Sequence, residues 1–137
     1  NTALTKATLS PVSAISSGIL CNILVCGSIL VMTMSTDMTG KIWGIFFTIM
    51  AFVVCGFEHS VANMYYLLAG LFAKLNPNYV NLAKETYHLT SEQIDSLNII
   101  NCLESTFFVS LGNVIGGMLL SAIFFLIYKK LEKSKNA

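Results

Sequence analysis

The chain has 137 residues, of which 55% are hydrophobic and 11% are charged, and its formal net charge is +1. Soluble globular domains carry roughly 25% charged residues, so this composition is typical of a membrane protein. The near-zero charge, without any arginine, gives no reason to expect nucleic acid as a partner. The four cysteines have no CxxC spacing, so we expect free thiols rather than a disulfide framework or a zinc site.

The first apolar segment follows a short N-terminal stretch. The chain begins at Asn1, without Met or a signal-peptide pattern, and we interpret it as a fragment, a processed chain or one half of a nicked protein. Residues 11–34 are long enough for a membrane-spanning helix, which needs about 20 residues. Pro11 suits a first helical turn and Ser10 can cap it, so the pattern predicts a helix over 11–34.

The second apolar segment, residues 42–75, is interrupted by the run GFEHSVANM. This run places Glu58, His59 and Asn63 at membrane depth, where a charged group costs roughly 2.5–3.5 kcal/mol on insertion scales and so marks a functional pathway. The apolar part before the interruption is too short to cross a membrane alone. We therefore predict a broken helix with its gap at 56–59, near the midplane, where irregular backbone must lie against protein or a cavity.

The polar and charged remainder of the chain indicates its orientation. Lysines cluster in the tail 129–137, and the positive-inside rule places such a tail in the cytoplasm. The third apolar segment, 105–128, then runs from outside to inside, and the polar stretch 76–104 is extracellular. That stretch is too long for a simple turn, and Thr90 with Gln93 predicts a helix start with a capping box.

Small residues recur in the apolar segments. Gly112 and Gly116 form a GxxxG step in the third segment, which lets helix backbones approach closely in lipid. Gly18 and Gly27 offer the same possibility on the first segment. The pattern indicates close helix packing, either within one subunit or between subunits.

The motif GFEHSVANM in a broken helix, followed by LGNVIGG at 111–117, resembles the formate/nitrite transporter family. The likeness extends over the whole chain, which resembles the C-terminal half of such a protein, and it is closest to the hydrosulfide channel subgroup. One departure from the formate branch is visible after Met64, where the chain reads Tyr65-Tyr66-Leu67-Leu68 and formate channels tend to carry Met and Pro.

This resemblance implies an all-α membrane protein with an aquaporin-like inverted-repeat helical bundle. Residues 1–137 would supply its second three-helix repeat, with the broken helix in the middle. The family assembles as pentamers with one pore in each subunit, in the cell membrane. The implied partners are therefore the lipid bilayer, identical subunits in a homopentamer, and the N-terminal half of the same protein as a separate chain or cleaved piece.

The resemblance also assigns pore residues by motif and spacing. It places the pore histidine at His59 and a pore lysine at Lys6, in the loop before the first helix. It places polar partners at Asn22 and Asn63, and an apolar constriction at Phe52. Lys6 also remains open to interpretation as an ordinary loop lysine.

The residues by themselves support part of this assignment. His59 follows the helix break, and Asn63 lies one turn later on the same face. Glu58 points elsewhere by helical spacing, so we expect it to be structural, bonded either to Asn22 or to backbone freed by the break. Lys6, together with a helix N-terminus at the break, can draw an anion toward the site.

We therefore expect a membrane channel for small monovalent weak-acid anions, with hydrosulfide first and then formate or nitrite. The anion is attracted by Lys6 and then either takes a proton at His59 or accepts a hydrogen bond from a permanently neutral imidazole. Imidazole suits proton exchange because its ordinary pKa is about 6.5. The alternatives are a structural subunit of a membrane complex and a membrane-integral enzyme using Glu58 and His59. No nucleophile motif or metal-ligand set accompanies that pair, so we expect no enzyme, no cofactor and no metal.

Overall fold

The computed structural model describes residues 1–135, and this part of the chain forms seven α-helices and no strand. The predicted all-α class is confirmed. In chain order the helices are α1 Thr2–Ala7, α2 Pro11–Met34, α3 Met38–Val54, α4 Ser60–Lys74, α5 Pro77–Tyr87, α6 Ser91–Ser96 and α7 Ile99–Lys135.

Two helices of the described range, α2 and α7, are long and apolar enough to span a membrane. The first has the bounds expected from the sequence, because Ser10 Oγ accepts a hydrogen bond from the Ser13 N–H at 3.3 Å and Pro11 occupies the first turn. At about 1.5 Å per residue it is about 36 Å long, which exceeds the roughly 30 Å hydrocarbon core.

Helix α7 is longer than the predicted segment 105–128. It begins at Ile99 because Asn98 supplies the start: its Oδ1 accepts from the Asn101 N–H at 2.9 Å, and its carbonyl accepts from Cys102. It also continues through the predicted tail to Lys135. Residues 136 and 137 of that tail lie outside the described range.

The predicted break in the second segment is confirmed, because α3 ends at Val54 and α4 begins at Ser60. Gly56 lies in the gap with a φ of 68°, a left-handed conformation that glycine adopts without steric cost. Helix α3 starts at Met38 rather than at residue 42. The reason is the side chain of Asp37, which caps the helix by accepting from the Gly40 N–H at 2.8 Å.

The polar stretch after α4 carries two short helices, α5 and α6, before α7 begins. The predicted capping box is confirmed: Thr90 Oγ1 accepts from the Gln93 N–H at 3.2 Å, and Gln93 Oε1 accepts from the Thr90 N–H at 2.9 Å. Lys74 joins α4 to this region through an ion pair of 3.3 Å with Asp95.

The main helix contact joins α2 to α7, and glycines allow it. A Cβ on Gly18 would lie 2.8 Å from the Val109 carbonyl oxygen, and Cβ atoms on Gly112 and Gly116 would meet backbone of α2. The GxxxG step therefore packs within this chain, which was one of the two interpretations left open by the sequence. Gly27 has open space around it and makes no such approach.

Candidate functional site

The gap between α3 and α4 carries a buried carboxylate. Glu58 is 7% exposed. Its Oε2 forms an ion pair with Lys6 Nζ at 2.7 Å and accepts a hydrogen bond from Asn63 Nδ2 at 2.6 Å. Two donors on one oxygen offset much of the cost of removing a carboxylate from water. Glu58, Lys6 and Asn63 therefore form one buried polar cluster.

This cluster corrects the expected partner of Glu58. Asn22 is not that partner: its Nδ2 donates to the Asn113 carbonyl at 2.5 Å and so joins α2 to α7. The expectation that Glu58 points away from Asn63 is also wrong. Helical spacing does not apply across a break, because residues 55–59 are not helical and the side chain can turn toward α4.

The backbone freed by the break is satisfied by side chains from other helices. The Glu58 N–H donates to Ser17 Oγ at 2.9 Å, and the Glu58 carbonyl accepts from Asn113 Nδ2 at 3.0 Å. These bonds replace those that a continuous helix would have made. The expectation that the Glu58 side chain bonds to the freed backbone is therefore wrong, because Ser17 and Asn113 satisfy that backbone instead.

Asn113 on α7 holds three parts of the chain together. Its Nδ2 donates to the Glu58 carbonyl and to the Gly18 carbonyl on α2, each at 3.0 Å. Its Oδ1 accepts from the Ser60 N–H at 3.1 Å and from Ser60 Oγ at 3.2 Å, at the start of α4. The buried amide therefore has partners for both its oxygen and its nitrogen, and it fixes the gap against α2 and α7.

His59 is the N-cap of α4. Its Nδ1 accepts a hydrogen bond from the Val61 N–H at 3.2 Å. With Nδ1 engaged as an acceptor, Nε2 is the ring nitrogen left free to donate a hydrogen bond. The ring centroid lies 6.0 Å from that of Phe52. The predicted pore histidine and the predicted constriction residue are thus neighbours.

Lys6 lies on α1, and that short helix packs against α4 and α7. Its carbonyl accepts from Ser105 Oγ on α7 at 2.6 Å, and its Nζ lies 5.7 Å from the centre of the Tyr66 ring. With the ion pair to Glu58, the ammonium is enclosed, and the Lys6 side chain is only 15% exposed. It is therefore not an ordinary solvated loop lysine.

The remaining predicted site residues have different surroundings. Asn63 is fully buried, and its Oδ1 has no hydrogen-bond partner among residues 1–135. The hydrogen bond to Glu58 fixes the orientation of the Asn63 amide, because the flipped amide would place Oδ1 against the Glu58 carboxylate. Asn22 lies apart from this cluster, on the interface between α2 and α7.

Sequence reasoning missed three residues that shape the site: Ser17, Asn113 and Tyr66. Asn113 carried a signal, since an amide inside an apolar helix needs partners for its polar atoms, as Glu58 and His59 do. Ser17 and Tyr66 carried none, because serine and tyrosine are common in membrane helices and their partners are distant in sequence.

Glu58 and His59 do not form an acid–base pair in this geometry. The carboxylate is directed to Lys6 and Asn63, whereas Nδ1 of the imidazole is directed to the backbone of α4. Among the described residues, no hydrogen bond joins the two side chains.

The sequence pattern of the formate/nitrite transporter family matches residues 1–127. The chain belongs to this family. It is similar to a probable formate transporter of Methanothermobacter thermautotrophicus, with 39% identity over 102 residues that cover 74% of this chain and 30% of that protein. It is also similar to the uncharacterized transporter YrhG of Bacillus subtilis, with 37% identity over 121 residues, 88% of this chain and 38% of that protein.

A third relative is the formate channel FocA of Escherichia coli K12, with 31% identity over 124 residues that cover 85% of this chain and 41% of that protein. The chain thus spans between 30% and 41% of the length of these three relatives. All three relatives are named as transporters or channels. Membership of this family, together with two helices that are long and apolar enough to span a bilayer, identifies the chain as part of a membrane protein.

Proposed function

We propose that the complete protein is a membrane channel for small monovalent weak-acid anions, and that the substrate passes His59. The observation that carries the proposal is the geometry of His59. Its Nδ1 is used by the cap of α4, its ring lies beside Phe52, and the Nε2 hydrogen is left as a donor. Relatives that are named for formate support the substrate class.

The charges around His59 favour weak and reversible attraction of an anion. The Lys6 ammonium is paired with Glu58, so the two formal charges cancel. The N-terminus of α4 adds about half a positive charge at the break. Conduction requires a site that binds strongly enough for entry and weakly enough for release. A neutral ion pair beside a helix N-terminus meets both conditions better than an isolated lysine would.

Of the two mechanisms left open by the sequence, the geometry favours the neutral imidazole. A protonated ring would lose the hydrogen bond from Val61 and would put a positive charge at the positive end of α4. We infer that Nε2 donates a hydrogen bond to the anion and withdraws charge from it. The proton that neutralises the substrate then comes from hydronium in the solution on the entry side, which leaves water.

Phe52 is proposed as the apolar constriction. Its ring lies against His59, and an aromatic ring offers an ion no replacement for its hydration shell. Because desolvating a bare ion is far more costly than desolvating a neutral acid, this position favours passage of the neutral form. The expected result is selectivity for anions of weak acids over chloride.

Two substrates are the leading candidates within this class. The likeness to the hydrosulfide subgroup supports hydrosulfide, and the names of the relatives support formate; nitrite is a third candidate. We propose that the working unit also contains an N-terminal half that completes the pore, and that it is a homopentamer. The lysines after Tyr128 support a cytoplasmic C-terminus.

The test is flux into proteoliposomes that hold the complete protein, measured for hydrosulfide, formate, nitrite and chloride at several pH values. His59→Asn is the informative variant, because asparagine also caps helices and removes only the imidazole. We expect it to lower weak-acid flux at least about tenfold, the scale of one lost charge-assisted hydrogen bond. His88→Asn is the control, because His88 lies in the left-handed region outside the site and asparagine tolerates that conformation.

Unchanged flux and pH dependence in His59→Asn would refute the role of His59. Wild-type flux no faster than in empty liposomes, for every anion, would refute the channel and favour a structural subunit of a membrane complex.

A further inference from the structure

Tyr66 on α4 lies beside the Lys6 ammonium, which is paired with Glu58 at the break. Its ring centre lies 5.7 Å from Lys6 Nζ, while Glu58 Oε2 lies 2.7 Å from the same atom. We propose that Tyr66 is a positioning residue, which holds the Lys6 ammonium on Glu58 and shields it from water. The flux part of its test rests on the proposed channel function, and the labelling part does not.

The distance is within the range of a cation–π contact, which extends to about 6 Å from the ring centre. Tyr66 is itself 44% exposed, whereas the Lys6 side chain is 15% exposed. The ammonium is therefore more buried than the ring that lies beside it. Such contacts strengthen when the cation is withdrawn from water, as it is here.

The Lys6 side chain needs a second contact because few other interactions hold it in place. It lies on α1, a helix of six residues, and its main chain is fixed by Ser105. The side chain is a flexible four-carbon stem with three donors, of which Glu58 takes one. Without the ring, the ammonium would exchange Glu58 for water or for a passing anion more readily.

Residues on one face of α4 therefore contact both charged groups of the ion pair. Asn63 donates to Glu58, and Tyr66, three residues later and so on the same face, lies beside Lys6. The adjacent Tyr65 packs edge-on against Tyr66 and is 71% exposed, and its ring makes no cation–π contact within the described chain. Tyr65 is thus a matched control of the same residue type.

The first experiment measures the accessibility of the Lys6 amine. The complete protein is acetylated with a water-soluble amine reagent, and mass spectrometry follows the rate at Lys6. Tyr66→Leu should raise this rate roughly three- to tenfold, because a cation–π contact is lost. Tyr66→Phe, which keeps the aromatic face, and Tyr65→Leu should leave the rate within about twofold of wild type.

Lys74, on the same helix, is the internal reference. It pairs with Asp95 away from the break, and its labelling should not change. A Lys6 rate that stays at the wild-type value in Tyr66→Leu would overturn the proposal. So would an equal rise at Lys74, which would indicate general loosening, or a rise in Tyr66→Phe as large as that in Tyr66→Leu.

The second experiment measures anion flux in proteoliposomes. Tyr66→Leu should lower the half-saturating anion concentration roughly three- to tenfold, because an ammonium released from Glu58 is more available to attract the anion. In a Lys6→Met background the same substitution should have no further effect. Equal effects in both backgrounds would show that Tyr66 does not act through Lys6. Wild-type protein without flux would refute the channel proposal, and the labelling experiment would then decide the role of Tyr66.

Discussion

Substitution of Asn113 is the most direct test of which hydrogen bonds fix the break between α3 and α4. The substitution Asn113→Asp keeps the shape of the side chain and the acceptor that faces Ser60, but it replaces the amide nitrogen by an oxygen. The carbonyls of Gly18 and Glu58 then lose their donor and face a carboxylate oxygen instead. Both carbonyls lie where water has little access, since Gly18, Glu58 and Asn113 are all buried.

The expected loss in the free energy of unfolding follows from these contacts. Leaving a buried polar group unpaired costs about 1–3 kcal/mol, and two carbonyls are affected. The bonds from Ser60 to the remaining oxygen persist and gain from its charge, which recovers part of the loss. We therefore expect Asn113→Asp to lower the free energy of unfolding by about 2–4 kcal/mol. Weak-acid flux should fall as well, because the non-helical segment 55–59, which positions Glu58 and His59, is held less firmly against α2 and α7.

The assay is reversible unfolding of the complete protein in mixed micelles, followed by helicity as the fraction of denaturing detergent increases. Asn101→Asp is the control on the same helix. Its amide makes one bond, to the Ser96 carbonyl at 2.8 Å, and the new charge would lie near the N-terminus of α7, where it is favourable. We expect this control to stay within about 1 kcal/mol of wild type. Equal unfolding free energies for the two variants would refute the reasoning.

Two further predictions concern glycines. Gly116→Val should destabilise the protein by about 1–3 kcal/mol, because its Cβ would meet the Ile19 backbone, whereas Gly27→Ala, in open space, should be neutral or slightly stabilising in the same unfolding assay. Equal stabilities would contradict the close contact between α2 and α7. Gly56→Ala should cost about 1–2 kcal/mol because of its φ of 68°, although its Cβ would meet nothing, and unchanged thermal unfolding would argue against the left-handed turn at the break.

The sequence determined the features that depend on neighbouring residues. The length and composition of residues 11–34 predicted a spanning helix, and Ser10 with Pro11 predicted its start. Glycine followed by ionisable groups predicted the break, because neither a continuous helix nor lipid accommodates them. The capping box at Thr90 was predictable for the same reason, since its two hydrogen bonds lie within four residues.

Helix ends were predicted less well, because side-chain caps decide them more strongly than average composition does. Asp37 moves the start of α3 toward the N-terminus, and Asn98 does the same for α7. Both residues lie in polar stretches whose composition is typical of loops. A single well-placed acceptor is enough to start a helix there.

Only the tertiary structure decided which polar groups meet. Glu58 pairs with Lys6 across 52 positions, and its carbonyl accepts from Asn113 across 55. Asn22, expected near Glu58, instead turns toward α7. Local patterns showed that these groups needed partners. They could not assign them, because each partnership depends on the distance between helices, and the packing of small residues such as Gly18 sets that distance.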